Sequence, residues 1–138
     1  MINKEELIKR AWQARENAYA PYSRFMVGAA VLGINDKIYT GCNIENASYG
    51  MTVCGERVAI FNMVADGCKK FKALAVVGGS NEDGGPCLAC RQVMTEFMEN
   101  LEVPVMDVGP DGIVYEHTMR ELCPFPFTAF DENEDYHN

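Results

Sequence analysis

The chain has 138 residues, of which 48% are hydrophobic and 23% charged, with a formal net charge of −8. That length suits one domain with a real core, and the composition is that of an ordinary globular protein. An acidic chain with no run of Lys or Arg disfavours a nucleic-acid partner, and no apolar run approaches the roughly 18 residues of a membrane span.

The N-terminus, Met-Ile-Asn-Lys-Glu-Glu, lacks a charged-then-apolar leader, so the expected location is cytoplasmic. Leu7, Ile8, Ala11, Trp12 and Ala18 recur at helical spacing through 4–19, and Pro21 ends the pattern. Arg15 interrupts that stripe and is expected at its edge with its head in solvent. Small and branched apolar residues from Met26 to Ile34 predict a buried strand. Asn35-Asp36 gives a turn and Lys37–Asn43 a second strand, completing a hairpin.

Val58, Ala59, Phe61, Met63 and Val64 predict a helix from Cys54 to Ala65, which Gly67 stops. Phe71–Gly78 is mostly apolar, as in a strand covered on both faces. Pro86–Asn100 predicts a helix opened by proline. Val103–Val108 and Ile113–Tyr115 are further strands around Gly109-Pro-Asp-Gly112, and a short helix follows near His117–Leu122. The alternation predicts a three-layer α/β/α domain over 1–130 with a mixed sheet of about five strands. The acidic block from Asp131 onward reads as a solvated, flexible tail, 131–138.

Chemistry concentrates in Cys54-Gly-Glu56-Arg57 and Pro86-Cys87-Leu-Ala-Cys90. Both fall where a loop feeds a helix, and helix N-termini stabilise thiolates. Two cysteines three apart share one side of a turn, so both sulfurs reach one ion. A structural zinc normally takes four protein ligands, whereas a catalytic one takes three and leaves a place for water. Glu56, not needed as a ligand, is free to move that water's protons. Three thiolates on Zn²⁺ sum to −1, and Arg57 is placed to offset that charge. A lone C-x-x-C is also compatible with a redox pair. The additional Cys-x-Glu, and the proline directly before the C-x-x-C, match the zinc deaminase signature in its three-cysteine form. Cys42, Cys68 and Cys123 lack partners at ligand spacing and read as buried small hydrophobes.

Nearly the whole chain resembles the homotetrameric zinc-dependent cytidine deaminases. The likeness rests on Pro21-Tyr-Ser-Arg-Phe-Met-Val-Gly-Ala-Ala30, Gly41-Cys-Asn-Ile-Glu-Asn-Ala-Ser-Tyr-Gly50, Cys54-Gly-Glu-Arg57, Pro86-Cys-Leu-Ala-Cys-Arg-Gln92 and Glu121-Leu-Cys-Pro-Phe-Pro-Phe127, in the family's order. It implies a cytidine deaminase-like fold, one zinc per subunit and active sites shared within a homotetramer. It implies that Cys54, Cys87 and Cys90 hold zinc, that Glu56 shuttles protons and that Arg57 balances the thiolates. It further implies that Asn43 and Glu45 read the ribose and that Phe25 lines the pocket. Ala47, Tyr49 and Phe127 would reach a neighbouring subunit's site.

The implied reaction is hydrolytic deamination of cytidine and deoxycytidine to uridine and deoxyuridine, with loss of ammonia. The substrate is thus a small nucleoside, with neither nucleic acid nor membrane as partner. The alternatives are deamination of another small nucleoside such as blasticidin S, and a non-catalytic zinc- or nucleoside-binding protein. Three positions depart from the family pattern: Gly55 where it usually has Ala, Leu88 where it has Gly, and Cys123 where it has Leu. Gly55 is expected to loosen substrate orientation, and Leu88 to narrow the pocket or alter which pyrimidine fits.

Overall fold

The computed structural model describes residues 2–128, so the acidic tail lies outside the described residues. Helix α1 (Lys4–Arg15) starts at Asn3, whose side chain accepts the Glu6 N–H. It is shorter than the periodicity predicts because Tyr19 is drawn away: its N–H donates to Asn43 and its carbonyl accepts from Glu45. A hairpin follows, β1 (Gly28–Gly33) and β2 (Ile38–Cys42), with Asp36 in the left-handed region at φ 67°. Next come α2 (Gly55–Ala65), β3 (Phe71–Val77), α3 (Leu88–Phe97), β4 (Pro104–Val108), β5 (Val114–Thr118) and α4 (Met119–Leu122).

The five strands form one mixed sheet in the order β2-β1-β3-β4-β5. Only β3 and β4 are parallel, and α3 provides the crossover that such a pair requires. The chain is a three-layer α/β/α structure, as the alternation predicts. On one face α1 packs Leu7 and Ala11 against Ala30, Ala73, Ala75 and Val77. On the other, α2 and α3 bury Ala59, Ile60, Met63 and Met94 against Val31, Leu74 and Val105.

Two glycines set how closely the helices approach. A Cβ on Gly28 would lie 2.0 Å from the Ala11 carbonyl oxygen, and one on Gly41 would lie 2.4 Å from the Ala59 nitrogen. Helices α1 and α2 therefore ride directly on strand backbone. Arg15 does not extend into solvent, because its Nε donates to the Met26 carbonyl at 3.0 Å and its guanidinium lies 5.5 Å over Trp12. All six cysteines are free thiols, with Cys68 buried and Cys42 and Cys123 half-buried.

Candidate active site

Helices α2 and α3 begin side by side, and each begins on a cysteine. Cys54 is the N-cap of α2 and Cys87 the N-cap of α3, where its sulfur accepts the Cys90 N–H at 3.4 Å. Cys90 is the third residue of α3 and is fully buried. The three sulfurs lie within 4.8 Å of one another, and those of Cys54 and Cys87 are 3.9 Å apart. A tetrahedral zinc with ligands at 2.3 Å separates sulfurs by about 3.8 Å, so this donor set fits zinc.

The electrostatics favour a thiolate at Cys54. The Cys54 thiol is lowered to about 5, chiefly through its hydrogen bond with Cys90 and then through Arg57 and Cys87. Cys90 moves up through the same Cys54 contact and its burial. Arg57 Nη2 donates to the Cys54 sulfur at 3.4 Å, while its Nε is buried without a hydrogen-bond partner. A guanidinium held at that cost indicates strong attraction to negative sulfur.

Glu56, in the first turn of α2, is only 5% exposed. Burial pushes its carboxyl up to about 7, with the charges of Cys54 and Asp107 adding in the same direction. A carboxyl in that range exchanges protons in both directions near neutrality. Glu56, Cys54 and Cys87 line one cavity of about 290 Å³ at the C-terminal end of β3, together with Phe25, Asn43 and Asp107. A buried carboxyl poised near neutral pH beside a three-sulfur metal cradle is equipment for metal-assisted hydrolysis.

Residues 1–105 match the model of the cytidine and deoxycytidylate deaminase zinc-binding region. The chain belongs to this deaminase family. A cytidine deaminase of Sporosarcina psychrophila is 49% identical over 127 residues, 92% of this chain and 93% of its own length. One from Halalkalibacterium halodurans is 46% identical over 133 residues, 96% of this chain and 100% of its own. The crystal structure of cytidine deaminase from Burkholderia pseudomallei superposes with a TM-score of 0.82 at 44% identity, covering 92% of this chain and 100% of its own. Zinc is the family's metal, and the three-cysteine cradle fits it.

Around that centre the deaminase places the remaining sequence-marked residues at two depths. Phe25 and Asn43 line the cavity itself. The Asn43 amide is committed to its own chain: Oδ1 accepts from Val27 N–H at 3.0 Å and Nδ2 donates to the Phe25 carbonyl at 2.6 Å. It thereby shapes the segment carrying Phe25. Glu45 lies in an adjoining pocket with Tyr22, Ser23, Tyr49 and Thr52. There its carboxylate accepts the Tyr22 and Ser23 N–H groups, at 3.0 and 3.1 Å, and the Ser23 hydroxyl. These bonds hold its carboxyl below the usual carboxylate range. Ala47, Tyr49 and Phe127 are exposed and outside the lining of the Glu56 cavity. Tyr49 stands edge-on to Tyr22, and the Phe127 carbonyl accepts from Gln92.

Of the two departures inside the cysteine motifs, Leu88 behaves differently from expectation. Leu88 is 78% exposed and lines no part of the cavity, so it does not narrow it in this chain. Gly55 does line it, and its backbone has the ordinary helical sign. The residue that sequence reading missed is Asp107. Its signal was available as a carboxylate inside the otherwise apolar strand Pro-Val-Met-Asp-Val.

Proposed function

We propose that the chain hydrolyses the exocyclic amino group of cytidine and deoxycytidine, giving uridine or deoxyuridine and ammonia. It is thus a hydrolase acting on a cyclic amidine C–N bond. The observation that carries this reading is the shared cavity of Glu56 and the cysteine cluster. Cys54, Cys87 and Cys90 would hold the zinc, with Arg57 moderating their charge. Zinc in that cradle supplies a Lewis acid that brings a water molecule's pKa toward neutrality. Glu56 would carry both of the water's protons in turn, the first to N3 and the second to the departing amino nitrogen, while the water's oxygen becomes the C4 carbonyl oxygen. Its burial supports this two-way traffic by keeping its carboxyl near neutral pH. Phe25 would line the face of the base, with Asn43 and Glu45 on the sugar side.

We further propose a cytoplasmic homotetramer that serves pyrimidine nucleoside salvage. Exposed aromatic side chains at Tyr49 and Phe127 support shared sites, since neither lines the Glu56 cavity of its own chain. Among the described residues no helix is long and apolar enough to cross a membrane. The test is a substrate panel with the zinc-loaded protein and its Glu56→Gln variant. Cytidine and deoxycytidine should be deaminated, with turnover falling at least about 1,000-fold in the variant. Preference for blasticidin S, or near-normal activity of Glu56→Gln, would overturn the assignment.

A further inference from the structure

Strand β4 carries one carboxylate, Asp107, in an otherwise apolar sequence. Side chains alternate along a strand, so Asp107 shares its face with Val105, which is buried against α2 and α3. Across the parallel ladder its partner is Val76, another residue lining the Glu56 cavity. Ala29, Val31, Leu74, Val76 and Val105 make that face hydrophobic. A carboxylate among them carries a desolvation cost and calls for hydrogen-bond donors.

The protein supplies one. Asp107 Oδ2 accepts the Gly85 N–H at 2.9 Å, and Gly85 directly precedes Pro86-Cys87. No ion pair among the described residues involves Asp107. A carboxylate has about four lone-pair positions, so acceptor capacity is left over beside the cavity. On that side its charge is felt by Glu56, while His117 is engaged by Asp83 at 2.6 Å.

That spare acceptor capacity is open to a donor that enters the cavity. If the substrate is a cytosine nucleoside, as proposed above, the donor that reaches the Glu56 side in every turnover is the exocyclic amino group. After reaction the same position carries a carbonyl oxygen, an acceptor. We propose that Asp107 determines specificity by accepting a hydrogen bond from that amino group and by repelling the carbonyl oxygen of the product. The C4–N bond breaks with both electrons going to nitrogen, which leaves as ammonia with its two hydrogens and one proton from Glu56. Asp107 accepts hydrogen bonds throughout and neither gains nor loses a proton. Its effect is to favour substrate over product in the same cavity.

The decisive variant is Asp107→Asn in zinc-loaded protein. Its amide oxygen can keep the Gly85 N–H, which turns the amide NH₂ toward the cavity and replaces an acceptor with a donor. Cytidine KM and the inhibition constant of uridine are measured together. Cytidine should bind more weakly and uridine more tightly, moving the ratio of the two affinities by roughly tenfold. Asp107→Leu, which removes the acceptor without adding a donor, should move the ratio in the same direction but less, and serves if the Asn variant fails to fold. An unchanged ratio, whether both affinities fall together or neither moves, would reduce Asp107 to an anchor for Gly85 and overturn the proposal. Wild-type protein that holds zinc and does not turn cytidine over would overturn the deaminase reading on which it rests.

Discussion

The Nη2 of Arg57 meets the sulfur of Cys54 at 3.4 Å, one helical turn inside the residue that caps the helix. A cation thus sits against a sulfur of the proposed metal cradle. The pair would let a cradle of three negative ligands hold zinc without surplus charge quenching its acidity. Removing the guanidinium should raise the pH needed to keep Cys54 a thiolate, because one of the influences lowering its pKa is lost. Arg57→Ala should therefore lose roughly 10- to 100-fold in zinc affinity, with the deficit growing as pH falls. Competition with a chelator at several pH values measures this. An unchanged affinity would contradict the charge-balance role.

Gly55 is open to a test of whether its freedom matters. A Cβ there would lie 3.4 Å from the Cys42 backbone carbon, an ordinary contact. Gly55→Ala should then raise stability by about 0.5 kcal/mol through the unfolded chain, with activity within about twofold of wild type. Denaturant titration and initial rates measure both. A large loss of activity would mean that the cavity depends on the missing methyl group.

Gly28 should tolerate nothing larger. The Ala11 carbonyl and the Arg15 nitrogen are backbone atoms at 2.0 and 2.6 Å from an added Cβ, so α1 would have to lift off β1. Gly28→Ala should cost at least about 2 kcal/mol in denaturant unfolding. Gly84→Ala, with nothing within 4 Å of its added Cβ, is the control and should change little. Equal effects at the two sites would contradict the close helix–strand approach.

His117 on β5 ties down the loop between β3 and α3 through Asp83 at 2.6 Å. The Asp83 contact raises the imidazole's pKa above its ordinary 6.5, with burial opposing and other nearby carboxylates assisting. A raised folded-state pKa gives stability that is complete below the unfolded value and fades as pH climbs through the folded one. His117→Gln should therefore lower the melting temperature by about 2 °C at pH 5.5 and less at pH 8.5, consistent with a partly exposed pair worth below about 1 kcal/mol. A deficit larger at the alkaline end would reverse the assigned sign.

What could be read from the chain in advance was local or periodic. Cys54 and Cys87 announce helix starts because loop residues and apolar spacing surround them, and both are N-caps. Asn35-Asp36 announces a turn because Asp36 tolerates a positive φ. Relationships between distant segments were not legible. Arg15 looks solvent-bound until Met26 brings a carbonyl to it, and Leu88 looks obstructive until α3 turns it outward. Asp107 shows its meaning only when the β3–β4 register puts it beside Val76 in the cavity. Pattern locates the chemistry, but long-range pairing decides which side chains face it.

The central claim is that the Cys54, Cys87 and Cys90 cradle and Glu56 form one hydrolytic centre. Bound zinc and the decrease in cytidine absorbance, measured in a single preparation, test it most directly. The expected result is one zinc per chain with cytidine converted and ammonia released in equal amounts. One zinc per chain with no conversion would contradict it, and would identify a zinc-holding nucleoside binder instead of an enzyme.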